Sequence, residues 1–186
     1  MRWLRPPGRT AALRGAADSA VLAVSCLLTY WLATNILAHV YAVSAADDAL
    51  GGMWAVVATI FVFRDSYARS VSAAFSRMSA TLVSFVLCLL YLLILPFHVW
   101  GLALLVGLSA LVVELAGRPA DAITAAITTA VIMVVAKLSP HDDWREPILR
   151  FADTIIGVAV GVAAAWLMLR VIRPRLRQSR FGRSRA

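Results

Sequence analysis

The chain has 186 residues, 61% of them hydrophobic and only 15% charged, with a net charge of +8. Soluble domains are nearer half apolar and about a quarter charged, so a soluble globular fold is excluded and a helical integral membrane protein is indicated. The weak alternating pattern of a membrane β-barrel is absent, and the basic character, carried by 17 arginines and one lysine, lies in tails and loops, as in topology signals.

Six apolar segments follow one another. The first is Ser19 to Ala38 and the second begins near Gly52 and reaches Phe63. The third is Ser79 to Leu95, stopped by Pro96, and the fourth is Val99 to Leu115. Ala120 to Ala136 and Phe151 to Ile172 complete the set. A spanning helix needs about 20 apolar residues, which all but the second approach. Pro96-Phe97-His98 and Gly117-Arg118-Pro119 are short connections, so segments three to five are expected to form antiparallel neighbours. The fold class is therefore all-α, with six transmembrane helices in a membrane domain over 18–172, a basic N-terminal segment over 1–17 and an arginine-rich tail over 173–186.

With the N-terminus inside, 15 basic residues fall on the inner side and three (Lys137, Arg145 and Arg150) on the outer side. Asp47, Asp48, Asp142, Asp143 and Glu146 also fall outside. This asymmetry predicts an inner-membrane protein with both termini cytoplasmic. A cleaved secretory signal ending at Val43-Ser44-Ala45 is the rival reading, disfavoured by the length of its apolar run. The tail, with six arginines after Ile172 and no acid, is expected to lie on anionic lipid, and nucleic acid is not an expected partner.

Between the second and third segments lie Arg64, Asp65, Arg69 and Arg77. On a helix, Tyr67, Val71, Ala74, Phe75 and Met78 share one side, and Asp65, Arg69, Ser72, Ser76 and Arg77 the other, which makes an amphipathic helix. Two readings stay open. It lies on the cytoplasmic surface, or it continues the second span past Arg64 and lines a wet interior. The second reading draws on length: Met53 to Phe63 is 11 residues, about 16 Å, against a hydrocarbon thickness of about 30 Å.

In the sixth segment, Arg150, Asp153, Gly157, Gly161 and Ala165 share a face. Gly157-x-x-x-Gly161 allows close helix approach, and Arg150 and Asp153 are placed to form either a structural ion pair or a coupling site. Glu114 and Arg118 read as a pair at a helix end, and Trp54, Tyr41, Trp100 and Trp144 as interfacial aromatics. His39, His98 and His141 lack metal spacing. Phosphate-binding glycine loops, nucleophile elbows and zinc-protease motifs are absent, so neither an enzyme nor a cofactor is expected. Cys26 and Cys88 read as small hydrophobes.

Three stretches, in order, resemble the fusaric acid resistance (FUSC) and aromatic acid exporter family. "MWAVVATIFVF" is similar to its YWAxxT opening, "RSVSAAFSRMSATLVS" to a stretch ending Arg-x-x-Gly-Thr, and "RFADTIIG" to a closing Arg-x-x-Asp-Thr and Gly. Trp54, Thr59, Arg77, Thr81, Arg150, Asp153 and Gly157 are the matching positions, while Ala80 and Ser84 stand where the pattern has glycine. The resemblance implies six-helix units that export organic anions, chiefly aromatic carboxylates, often at the expense of the proton gradient. Plant malate channels look related, with an anion path lined by basic residues at a dimer centre. On that basis Arg77 and Arg69 are expected to face an inner vestibule with Arg64 at its constriction and Thr81 beside the path. A homodimer is expected, joined through the sixth-segment glycines or the second segment. An uncoupled anion channel and a non-transporting membrane subunit are the alternatives.

Overall fold

A computed structural model describes residues 9–37, 45–138 and 144–172 of the chain. They form six helices: α1 (Arg9–Leu32), α2 (Ala45–Val62), α3 (Tyr67–Ile94), α4 (Val99–Leu115), α5 (Pro119–Leu138) and α6 (Arg145–Leu167). Helices α1 and α6 each run on into a wider π-helical turn, Ala33–Leu37 and Met168–Ile172. Four helical stretches are long and apolar enough to cross a membrane, in α1, α3, α5 and α6. Two shorter apolar helices, Asp48–Val62 within α2 and α4, accompany them. The described residues are helical with no strand among them, and the chain is a multi-pass membrane protein.

The second apolar segment gains its missing length at its far end. Helix α2 reaches back through Asp47 and Asp48 to Ala45, giving 18 residues, about 27 Å of helix. It does not continue past Arg64. The chain turns at Phe63–Ser66 without proline or glycine, because two serines satisfy the free backbone donors there. Ser66 caps α3, its hydroxyl accepting from the Arg69 N–H at 3.3 Å. The buried Ser70 hydroxyl accepts from the Arg64 N–H at 3.1 Å.

Nor is there a separate amphipathic helix. The stretch from Tyr67 to Met78 and the third apolar segment are one continuous 28-residue helix. Its polarity runs opposite to that of a soluble helix: Tyr67, Val71 and Phe75 point outward, while the buried face is Ser70, Ala74, Arg77, Ala80, Thr81, Ser84, Cys88 and Leu92. Lipid accepts large apolar side chains, and helix–helix seams in a bilayer favour small ones.

The helices pack in the spatial order α1–α2–α6–α3–α5–α4, the most extensive interfaces being α2 with α6 and α4 with α5. The antiparallel α3–α4–α5 grouping expected from the short connections is present. Its second turn uses Gly117 at φ +78°, a left-handed conformation that suits glycine. Cys88, Leu92, Leu105, Ile132, Met133 and Ala136 pack one end of this half, and Ala80, Val113, Ala122 and Ala125 the other. At Ser84 the hydroxyl donates to the Ala125 carbonyl at 3.0 Å and accepts from Thr129 at 3.0 Å. A polar clasp thus joins α3 to α5 at this point.

The glycine seam of α6 is closed within the chain. A Cβ on Gly157 would overlap the Ala55 carbonyl, and one on Gly161 would sit 3.1 Å from the Thr59 carbonyl oxygen. Thr59 strengthens the contact: its hydroxyl donates to the Gly157 carbonyl at 2.9 Å and shares a 2.9 Å hydrogen bond with Thr29 of α1. These glycines therefore join α6 to α2 rather than one protomer to another.

Candidate functional site

The arginines between α2 and α3 separate into two environments. Arg64 and Arg69 are exposed. Arg69 is paired with Asp65 at 3.1 Å, one turn away on the surface. Together with Asp18, Ser72, Ser76, Arg118 and Asp121 they line an open cleft of about 930 Å³ where α1, α3 and the α4–α5 turn meet. In that cleft Arg118 pairs with Asp121 at 2.9 Å and donates to Ser79 at 2.7 Å, and Ser76 is hydrogen-bonded to Asp121. The expected Glu114–Arg118 pair is replaced by this one: the turn at Gly117 carries Arg118 towards α5 and α3.

Arg77 does not line the cleft. It sits ten residues into α3, about 15 Å along the helix axis from its start, and is 3% exposed. Its guanidinium lies over two rings of α2, with the carbon 4.9 Å from the centroid of Trp54 and 5.1 Å from that of Phe61. Such contacts stabilise a desolvated cation by up to about 2 kcal/mol, yet they do not use its N–H groups. Nε and Nη2 are buried with no hydrogen-bond partner among the described residues, and Arg77 has no ion pair among them. Two further buried polar atoms of α2 and α3 share that condition. Thr81, one turn along α3, has an unpartnered hydroxyl, and Trp54 an unpartnered Nε1–H. Trp54, expected in an interfacial belt, is instead buried between α2 and α3.

A second charged cluster is buried at the start of α6. Arg150 pairs with Asp153 at 3.1 Å and with Glu146 at 3.5 Å, and all three are within a few per cent of full burial. The Arg150–Asp153 pairing follows from the three-residue spacing; Glu146, one turn before Arg150, completes the group. The Asp153 carboxylate reaches α2, where a Cβ on Gly51 would lie 3.0 Å from its Oδ1. The face shared by Arg150, Asp153, Gly157, Gly161 and Ala165 is buried throughout.

Among residues singled out from the sequence, the structure brings together Trp54 and Arg77 between α2 and α3, and Arg150 with Asp153 in α6; Thr81 is buried one turn further along α3. Arg64 and Arg69 stand apart from Arg77, in the cleft. Phe61, Glu146 and Gly51 are the additions. Phe61 is seven residues from Trp54, two turns along the same helix stripe, and that spacing is the signal that could have found it. His39, His141, the residues around Val43-Ser44 and the arginine-rich tail lie outside the described residues.

A family model described as fusaric acid resistance protein-like matches residues 29–164. That range holds both the α2–α3 cluster and the charged cluster of α6. No curated protein and no solved structure matched the chain.

Proposed function

Because the chain belongs to the fusaric acid resistance protein-like family, whose role is membrane transport and efflux, we propose that it carries organic anions, carboxylates above all, across the inner membrane. The observation that supports this reading is Arg77. A cation within a bilayer is costly, marks substrate and ion pathways, and normally faces an anionic partner. Arg77 has aromatic faces beside it and unpartnered donors. A transported anion is the partner that balances it. The cleft, where Arg69 and Arg118 are paired with Asp65 and Asp121, would be the cytoplasmic mouth of the path, entered past the exposed Arg64, and Thr81 would stand further along the path at depth. Arg150 and Asp153, with Glu146, serve as a structural ion cluster anchoring α6 to α2.

The reading places six crossings in the membrane with both termini cytoplasmic, and the arginine-rich tail on anionic lipid. It also takes the working unit as a homodimer. With the α6 glycines already occupied, the exposed α2 stripe of Met53, Ile60 and Phe61 is the surface for it. A two-fold axis there would bring both copies of the Arg77 cluster close to a shared seam.

Purified protein in vesicles of phosphatidylethanolamine and phosphatidylglycerol tests the charge sign. Benzoate flux above that of protein-free vesicles, with none of choline, is the expected outcome. Choline flux equal to benzoate flux would refute an anion path.

A further inference from the structure

Trp54 and Phe61 do not hold Arg77 on equal terms. Seven residues separate them on α2, a rise of about 10.5 Å. The guanidinium carbon is 4.9 Å from the first ring centroid and 5.1 Å from the second. Those two distances together match the rise, so the guanidinium lies between the rings along the α2 axis. From its place on α3 the Arg77 side chain reaches back towards the start of that helix, as helical side chains do. The order along the axis is therefore Trp54, the guanidinium, Phe61, and then the Phe63–Arg64 segment that lines the cleft.

The two rings also differ in freedom. Trp54 is 5% exposed and fixed by its neighbours, whereas Phe61 is 42% exposed. A half-exposed ring changes rotamer without displacing packed side chains, which a buried one cannot do. The free edge of Phe61 belongs to the α2 stripe assigned above to the dimer seam, so the ring has room to swing outward. Arg77 is 3% exposed and does not line the cleft. An anion moving from the cleft to the guanidinium has to pass the Phe61 ring.

We propose that Phe61 is the inner gate of the path: its ring closes the step between the cleft and the Arg77 guanidinium, and opens it by swinging aside. The role in transport rests on the anion path proposed above; the covering of Arg77 does not. Trp54 is the fixed seat of the cation on the far side. The closed state is favoured because the ring that blocks the way also stabilises the cation. In the open state the guanidinium loses one ring face, and the arriving anion takes its place.

The test is chemical access. Phenylglyoxal, which reacts with guanidinium groups, is applied to the full-length protein in the same vesicles, and each arginine is followed by peptide mass spectrometry. The exposed Arg64 is the open reference. Arg150, buried and held by two carboxylates, reports unfolding. In the wild type Arg77 is expected to react at least about tenfold more slowly than Arg64, because reaction waits on the open population. Phe61→Ala is expected to bring Arg77 within about threefold of Arg64 with Arg150 still protected, and Phe61→Leu to fall between. Benzoate flux is expected to rise about threefold in Phe61→Ala and to fall about threefold in Phe61→Trp, whose larger ring opens less readily. Arg77 as reactive as Arg64 in the wild type, or as slow in Phe61→Ala as in the wild type, overturns the gate. Should Arg150 become reactive in Phe61→Ala, Phe61→Leu decides by the same comparison. If access follows the ring but flux is unchanged in both Phe61→Ala and Phe61→Trp, the ring only covers Arg77, and the inference falls while anion transport stands. Wild-type benzoate flux no higher than in protein-free vesicles removes the transport reading and the gate with it, leaving only the cover that phenylglyoxal measures.

Discussion

A single arginine at the centre of a membrane helix costs about 2.5–3.5 kcal/mol on insertion scales. Arg77 meets that cost with two ring faces and leaves its hydrogen bonds for something else. Arg150 is buried to a similar degree in opposite circumstances, since two carboxylates already hold it. The pair of residues therefore separates binding from architecture. Arg150→Met leaves Asp153 buried without its cation and is expected to destabilise the protein by about 3–5 kcal/mol, measured by denaturant titration in mixed micelles. Arg77→Met removes no ion pair and is expected to cost far less, under about 1 kcal/mol. Equal losses in the two variants would show that both arginines are structural.

Much of this was legible in residue spacing, and its gaps have physical causes. The three-residue interval from Arg150 to Asp153 is enough to predict their pairing, since helix geometry is local. The partner of Arg118 was not, because Asp121 and Glu114 are both in reach along the chain and the left-handed turn at Gly117 decides between them. The burial of Trp54 was hidden for a related reason: a tryptophan near a predicted interface usually sits in the aromatic belt, and only the approach of α3 reveals the cation above its ring.

At the scale of helices, hydropathy locates six elements, but not where α2 begins or what α3 includes. Helix α2 starts among acidic residues, which an apolar window leaves out. The turn at Phe63–Ser66 depends on backbone N–H groups donating to the Ser66 and Ser70 hydroxyls rather than on proline or glycine, so the sequence there carries no strong stop. The small-residue spacing of α6 did identify a packing face, yet spacing cannot say which helix occupies it. The α2 backbone does. Gly157→Ala would drive a methyl into the Ala55 carbonyl and is expected to cost about 1–3 kcal/mol or more, read as earlier unfolding of micellar protein. Unchanged stability would mean that α2 and α6 are not in contact at this point. Thr59, bonded to both α1 and α6, ties these three helices together.

For the molecule as a whole, small and hydroxylated residues face inward and large apolar ones outward, as lipid solvation favours. The exposed α2 stripe lies beside the Arg77 cluster through Phe61, so assembly and transport are linked in this account. In a background lacking Cys26 and Cys88, Ile60→Cys is expected to give covalent dimers under mild oxidation in vesicles, seen as a doubled mass on a denaturing gel. Exclusively monomeric protein at high cross-linking yield for a positive control would remove the α2-centred homodimer.

The central claim is that the buried guanidinium of Arg77 carries the anion path. Its most direct test is benzoate flux through vesicles bearing equal amounts of folded wild type, Arg77→Lys and Arg77→Ala. A point charge without the planar fork replaces the guanidinium poorly, so Arg77→Lys should lose about tenfold in rate and Arg77→Ala should fall to the protein-free background. Wild-type flux in Arg77→Ala would contradict the account.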